Sequence, residues 1–155
     1  MAGTLKLNTN FDMRKALKTL AGVSKRANDL RPWFDKVARA LVVSQITNFA
    51  TQGSLDGGWP PLSPKYGLWK AANEAGRPTM VSTGKLLASV SSKDKLVQSM
   101  TGKTMKLGSD VNYAHFHQSG TKNMPKRKVV VLPESVIDAL KKDLSMYVAH
   151  GRLLS

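Results

Sequence analysis

Residues 34–50 read FDKVARALVVSQITNFA, and this stretch decides the fold of the N-terminal half. Its apolar residues recur every three or four positions, which puts them on one face of a helix. They are Phe34, Val37, Ala38, Leu41, Val42, Ile46 and Phe49. Asp29 can cap this helix, and Pro32 is tolerated in its first turn. We therefore predict a long helix that ends near Ala50.

On the N-terminal side, residues 1–28 are expected to form a strand and helix extension. Thr4 to Leu7 alternates polar and apolar residues, as a short strand or extended lead-in does. The apolar residues from Met13 to Val23 then recur at helical spacing. On the C-terminal side, residues 52–65 are rich in Gly and Pro and predict a loop. Trp59 is too large and apolar for a solvated linker, so it either anchors this loop to the core or contacts a partner subunit.

Alternating residues predict strands in the second half of the chain. The expected strands are Ala88–Ser91, Lys95–Met100, Thr104–Leu107 and the β-branched segment within Lys126–Leu132. Pro133 then opens a last helix whose apolar stripe runs from Val136 to Val148. The expected fold class is α+β: residues 1–155 form a single domain. An antiparallel sheet of about four strands packs with the long helix and the C-terminal helix.

Charge is the most unusual feature of the composition. The chain has 155 residues and a net charge of +14, and no block of it forms a basic tail. Only Lys126-Arg127-Lys128 is a dense basic run. Such a charge suits a polyanionic neighbour, so a small basic nucleic-acid-binding module is one possible reading. The absence of stacking aromatics between the cations argues against a dedicated groove.

The residue types exclude several kinds of chemistry. The chain lacks cysteine, so disulfides, thiolate metal sites and a cysteine nucleophile are excluded. His115 and His117 lie two positions apart and would share a face on a strand, yet no acidic partner has metal-ligand spacing. No G-x-S-x-G or complete phosphate-loop pattern occurs. We predict no enzyme activity, no metal and no cofactor. Neither a signal peptide nor a membrane span is expected.

A series of short motifs is the most specific feature of the chain. In order, they are Asp56-Gly57, Trp59-Pro60-Pro61-Leu62-Ser63, Lys70, Thr83-Gly84-Lys85-Leu86 with Ser89, Leu107-Gly108, Tyr113-Ala114, His117-Gln118-Ser119-Gly120 and Pro125-Lys126-Arg127. This series resembles the tailed-phage virion morphogenesis, or tail-completion, family. The resemblance covers about residues 34–145.

The resemblance implies a structural role at the head–tail junction or the upper end of a phage tail. Members of the family complete the tail: they cap the tail tube and help to join it to the head around the DNA channel. The implied partners are further copies of this chain in a ring, with six subunits expected, other neck and tail proteins, and packaged DNA bound non-specifically. The implied location is the virion, and the host cytoplasm during assembly. Membrane association is not implied.

The motif residues are candidates for subunit interfaces. They are Trp59, Pro61, Leu62, Lys70, Thr83, Gly84, Leu86, Tyr113, Ala114, His117, Gln118, Gly120, Pro125 and Arg127. Lys126, Arg127 and Lys128 are additional candidates for contact with DNA or an acidic partner. Gly120 allows a turn with positive φ. Gln118 can donate and accept hydrogen bonds across that turn or between subunits.

Overall fold

A computed structural model describes residues 12–154, and most of these residues are helical. The helices are α1 (Met13–Asn28), α2 (Arg31–Ala50), α3 (Pro64–Asn73), α4 (Lys85–Val90), α5 (Lys93–Leu96), α6 (Ala114–Ser119) and α7 (Glu134–His150). A single 3-10 turn spans Ser54–Asp56, and the strands are β1 (Val97–Met100) and β2 (Met105–Leu107). The strand expected at Thr4–Leu7 lies outside the described residues.

Helix α2 forms the centre of the core, as its apolar spacing predicts. The N-cap residue is Leu30 and not Asp29 as predicted; the Asp29 carboxylate still accepts a hydrogen bond from the backbone N–H of Arg31, the first helical residue, at 3.3 Å. The predicted stripe is wrong at one position, because Ile46 is 47% exposed while Gln45 and Asn48 are fully buried. The buried apolar cluster consists of Leu41, Phe49, Leu86, Val90, Leu96, Val111 and Val129. Each fully buried aliphatic side chain in such a cluster contributes about 1.5–3 kcal/mol.

The α+β class is correct, but the expectation of about four strands is wrong. The described residues contain one antiparallel pair, in which Val97 pairs with Leu107 and Met100 with Met105. The segment Ala88–Ser91, expected as a strand of the sheet, belongs mainly to helix α4. The buried residues of α4 are Leu86, Ser89 and Val90, and their spacing of three and four positions is typical of one face of a helix.

The β-branched run 129–131 has no strand partner, because side-chain amides bond its backbone. Gln45 donates to the carbonyl of Val131 at 2.8 Å and accepts from its N–H at 3.0 Å. Gln118 accepts from the N–H groups of Val129 and Val130, both at 2.9 Å, and donates to the carbonyl of Val130 at 3.0 Å. These bonds satisfy the backbone groups that a neighbouring strand would otherwise satisfy. We call this arrangement the amide clamp.

Two helices from opposite ends of the chain pack together. Helix α7 begins after Pro133, as predicted, and contacts both α2 and α1. Arg26 of α1 donates to the last carbonyls of α7, at 2.8 Å to Val148 and 2.7 Å to Ala149. These carbonyls lack partners within the helix, so the guanidinium caps it. The other end of α1 leaves Met13, Leu17 and Leu20 about 60% exposed.

Candidate partner-binding cleft

Three distant parts of the chain enclose a cleft of about 700 Å³. One wall comes from the loop before α3 and from α3 itself, the second from residues 80–86, and the third from residues 113–127. Nine of the fourteen interface candidates line it: Leu62, Lys70, Thr83, Gly84, Leu86, Tyr113, His117, Pro125 and Arg127. The motifs that are separated in the sequence are therefore largely neighbours in space.

Arg127 is buried and holds two walls of the cleft together. It is 5% exposed, and its guanidinium donates to the carbonyls of Pro60 at 2.9 Å and Pro61 at 2.8 Å. The planar guanidinium suits this forked contact, which a lysine could not reproduce. Burial lowers the pKa of Arg127, but an arginine remains charged at neutral pH. Among the described residues, no carboxylate forms an ion pair with it.

Lys70 fastens helix α3 to the second wall. Its ammonium, although buried, donates to the carbonyl of Val81 at 2.7 Å and pairs with Glu74 one turn along the helix. Glu74 also accepts a hydrogen bond from the hydroxyl of Ser82. The hydrogen bond from Lys70, and then the one from Ser82, lowers the pKa of Glu74. Lys70 is thus a structural residue of the cleft wall, with its charge compensated.

Helix α6 and the turn after it form the third wall. His117 lies in this wall, and its Nδ1 is buried with no hydrogen-bond partner among the described residues. Burial, and secondarily the charge of Arg127, lowers the pKa of His117, so its ring is neutral at pH 7. Gly120 ends the helix with φ +77°, and a Cβ there would lie 3.0 Å from the backbone nitrogen of Lys126. Only glycine fits this turn without a shift of the chain.

The other five interface candidates lie outside the cleft lining; they are Trp59, Pro61, Ala114, Gln118 and Gly120. Trp59 packs edge-on against Phe49, with ring centroids 5.1 Å apart, and its indole N–H donates to the carbonyl of Lys128 at 3.0 Å. It therefore anchors the Gly/Pro-rich loop to the core. Gln118 makes the amide clamp within the same subunit.

The basic run 126–128 is divided between three environments. Lys126 is exposed, Arg127 is buried, and Lys128 pairs with Asp56 at 2.6 Å. The three side chains therefore do not form one continuous cationic surface.

The sequence did not single out Gln45 and Asn48, whose amides bond the backbone of residues 128–131 just after the third wall. Gln45 and Asn48 lie on the buried face of α2, and Asn48 donates to the carbonyl of Lys128 at 3.0 Å. Their position inside the apolar stripe of the predicted helix is the signal that could have identified them as buried hydrogen-bonding residues. Gly53 was also missed: a Cβ there would lie 2.4 Å from the Trp59 ring.

Within residues 12–154, no group of three or more metal-ligating side chains comes together. His115 and His117 belong to helix α6, where a spacing of two places them on different faces. No described helix is long and apolar enough to span a membrane.

Comparison with known proteins shows a match at the level of a family. No curated protein and no solved structure matches the chain. The model of the phage virion morphogenesis family matches residues 11–139, which include all three walls of the cleft. This match covers most of the chain and confirms the resemblance inferred from the motifs. The protein therefore belongs to the phage virion morphogenesis family and has a role in building the virion.

Proposed function

We propose that the protein is a tail-completion or neck component of a tailed phage. It caps the tail tube, helps to join the tail to the head, and encircles the DNA channel as a ring, expected to contain six subunits. The observation that carries the proposal is the family match over residues 11–139. The convergence of the motifs on one cleft supports a role in contacts between proteins.

Two separate apolar surfaces support assembly with further copies of this chain. The first is the exposed row Met13, Leu17 and Leu20 on α1, which recurs at the spacing of one helix face. The second is the outer face of α2, where Val43 is 63% and Ile46 47% exposed. A ring of identical subunits needs two different patches on each subunit, one for each neighbour. These two surfaces meet that need without using the cleft.

The net charge supports a position around DNA. A charge of +14 on 155 residues attracts phosphates without sequence preference, and such contact weakens as salt increases. Lys126 belongs to the motif series and is exposed, so it can contact DNA phosphates. The virion is accordingly the proposed final location, at the head–tail junction or the upper tail end.

Deletion of the gene tests the proposal in the phage itself. We expect heads filled with DNA and unjoined or irregular tails to accumulate, as seen by electron microscopy of lysates. Normal infectious particles from the deletion would contradict it. A plasmid copy of the wild-type gene should restore joining, which controls for effects on neighbouring genes.

Measurements on the purified protein separate the proposal from a nucleic-acid-binding module. Light scattering after size exclusion gives the mass, and a DNA titration at two salt concentrations gives the affinity. If the wild-type protein forms a ring and Leu17→Glu dissociates it, assembly through α1 is supported. Lys15→Glu, on the same helix, is the matched control and should leave the ring intact. A protein that stays monomeric and binds DNA tightly, with steep salt dependence, favours the module.

A further inference from the structure

The cleft contains positive charge that no described carboxylate compensates. Arg127, although 95% buried, is held only by backbone carbonyls, and Lys85 on the exposed rim makes no ion pair. No Asp or Glu occurs among the described residues that line the cleft. A buried cation without a counter-charge is unfavourable, so a carboxylate placed against it gains a strong, charge-assisted hydrogen bond.

A second polar group in the same cleft also lacks a partner. The Nδ1 atom of His117 is buried and makes no hydrogen bond with any residue between 12 and 154. A buried, unsatisfied nitrogen is unusual in a finished protein interior. Since this nitrogen is itself shielded from solvent, a ligand in the cleft would meet the charges of Arg127 and Lys85 rather than Nδ1 of His117.

Part of the remaining lining is apolar and adaptable, beside polar residues such as Ser63, Thr83 and Asn123. Leu62, Met80 and Met124 provide aliphatic surface, and Tyr113 contributes a ring that is 38% exposed. Methionine side chains adjust to varied shapes, and an exposed tyrosine is a frequent anchor point in interfaces. The volume of about 700 Å³ has room for several side chains. The lining therefore fits a peptide segment better than a free inorganic anion.

We infer that the cleft binds an acidic segment of a neighbouring virion protein, with apolar side chains in the cleft and a carboxylate against Arg127. The inference rests on the proposed function only for the identity of the donor as another virion protein. It adds a binding site, and the chemistry of its partner, to the surfaces that we assign to ring formation.

A second copy of this chain is poorly suited to supply that segment. Seven of its ten carboxylates already form ion pairs within the described residues, and Asp12 is used to cap α1. Asp94 and Asp110 are the two that remain. DNA supplies anions but no aliphatic side chains for the apolar walls.

A peptide array provides the probe. Overlapping peptides of about 15 residues, long enough for one extended or helical recognition segment, tile the other structural proteins of the same phage. The folded full-length chain, carrying a fluorophore, is applied to the array. Each bound peptide is then measured by fluorescence anisotropy at about 50 and about 300 mM NaCl, where screening differs strongly. A version with Asp and Glu replaced by Asn and Gln, and a double-stranded oligonucleotide competitor, accompany each peptide.

Two pairs of variants locate the binding. Lys85→Glu reverses the rim charge, and its control, Lys106→Glu, reverses an exposed charge on β2 outside the cleft. Tyr113→Ala removes a ring from the cleft, and its control, Phe116→Ala, removes a 47% exposed ring from α6 outside it. Urea unfolding of all four variants shows that each remains folded.

We expect bound peptides to be rich in Asp and Glu next to Leu, Phe or Met. Lys85→Glu and Tyr113→Ala should each weaken binding by about fivefold or more, and the controls by less than about twofold. Binding of neutral peptides, equal losses in both members of a pair, or displacement by the oligonucleotide would overturn the inference. So would an array with no bound peptide. None of these results changes the deletion phenotype, by which the proposed function is judged separately.

Discussion

Replacing Gln45 by Leu removes the amide clamp on Val131 and keeps the size and burial of the side chain. Gln45 is fully buried and makes two hydrogen bonds with the backbone of Val131, at 2.8 and 3.0 Å. Leucine leaves one N–H and one carbonyl unsatisfied in a partly buried place. Each unsatisfied group lowers the free energy of unfolding by about 1–3 kcal/mol. Because this place is only partly buried, the lower part of that range applies, and the two groups together lower it by about 2–4 kcal/mol.

That loss is a large part of the roughly 5–15 kcal/mol by which a domain of this kind is stable. For about 150 residues it corresponds to a decrease in Tm on the order of 10 °C. Urea unfolding, followed by circular dichroism, gives the free energy of unfolding and its dependence on urea. The dependence on urea should not change, because the buried surface is the same.

Two further variants make the test specific. Gln45→Glu keeps an acceptor for the N–H of Val131 but loses the donor to its carbonyl, and we expect it to be destabilised as well. Ile46→Ala, at the adjacent exposed position, should change stability by less than about 1 kcal/mol. If Gln45→Leu unfolds at the same urea concentration as Ile46→Ala, the amide clamp does not contribute as we reason.

Two other predictions concern the walls of the cleft. Gly120→Ala should lower the free energy of unfolding by at least about 1 kcal/mol more than Gly57→Ala does. Both glycines have positive φ, but only at Gly120 would the new Cβ lie 3.0 Å from a backbone atom, the nitrogen of Lys126. Equal urea midpoints for the two variants would contradict this. The pKa of Glu74 is lower in the folded protein than in the unfolded chain, where it is about 4.5, because Glu74 pairs with Lys70. The pair therefore stabilises the fold fully above pH 4.5, and this stabilisation is lost as the pH falls through the folded pKa. In Lys70→Met the decrease in stability between pH 6 and pH 3 should therefore be smaller, when followed by urea midpoints; identical pH profiles would show that the pair has no such role.

The sequence predicted the elements whose hydrophobic spacing was long and regular. Helices α2 and α7 lie where the stripes place them, because many apolar side chains recur at one period. The segment 88–91 has only four residues, so its hydrophobic pattern was too short to distinguish a strand from a helix. The run 129–131 has strong strand propensity, but buried amides from α2 and α6 replace the neighbouring strand.

The cleft could be anticipated only in part. The order of the motifs indicated the family, which the match over residues 11–139 confirms. That Leu62, Thr83 and Tyr113 border the same space depends on how the segments pack, and no local pattern contains that information. Arg127 illustrates the limit: as part of a basic run it suggested a surface for DNA, yet its guanidinium points to the carbonyls of its own subunit.

The amide clamp also sets the order in which a newly made chain can reach its final structure. Gln45 and Val131 are 86 residues apart, so the ribosome completes α2 long before the segment that α2 must hold. At about 5–20 residues per second, that delay is on the order of ten seconds. During this time Leu86, Val90 and Leu96 can already pack against the apolar stripe of the nascent helix, but the amides of Gln45 and Asn48 are still without their partners in residues 128–131. A product that terminates before residue 129 can never cover them, so premature termination should yield chains that bind chaperones or are degraded.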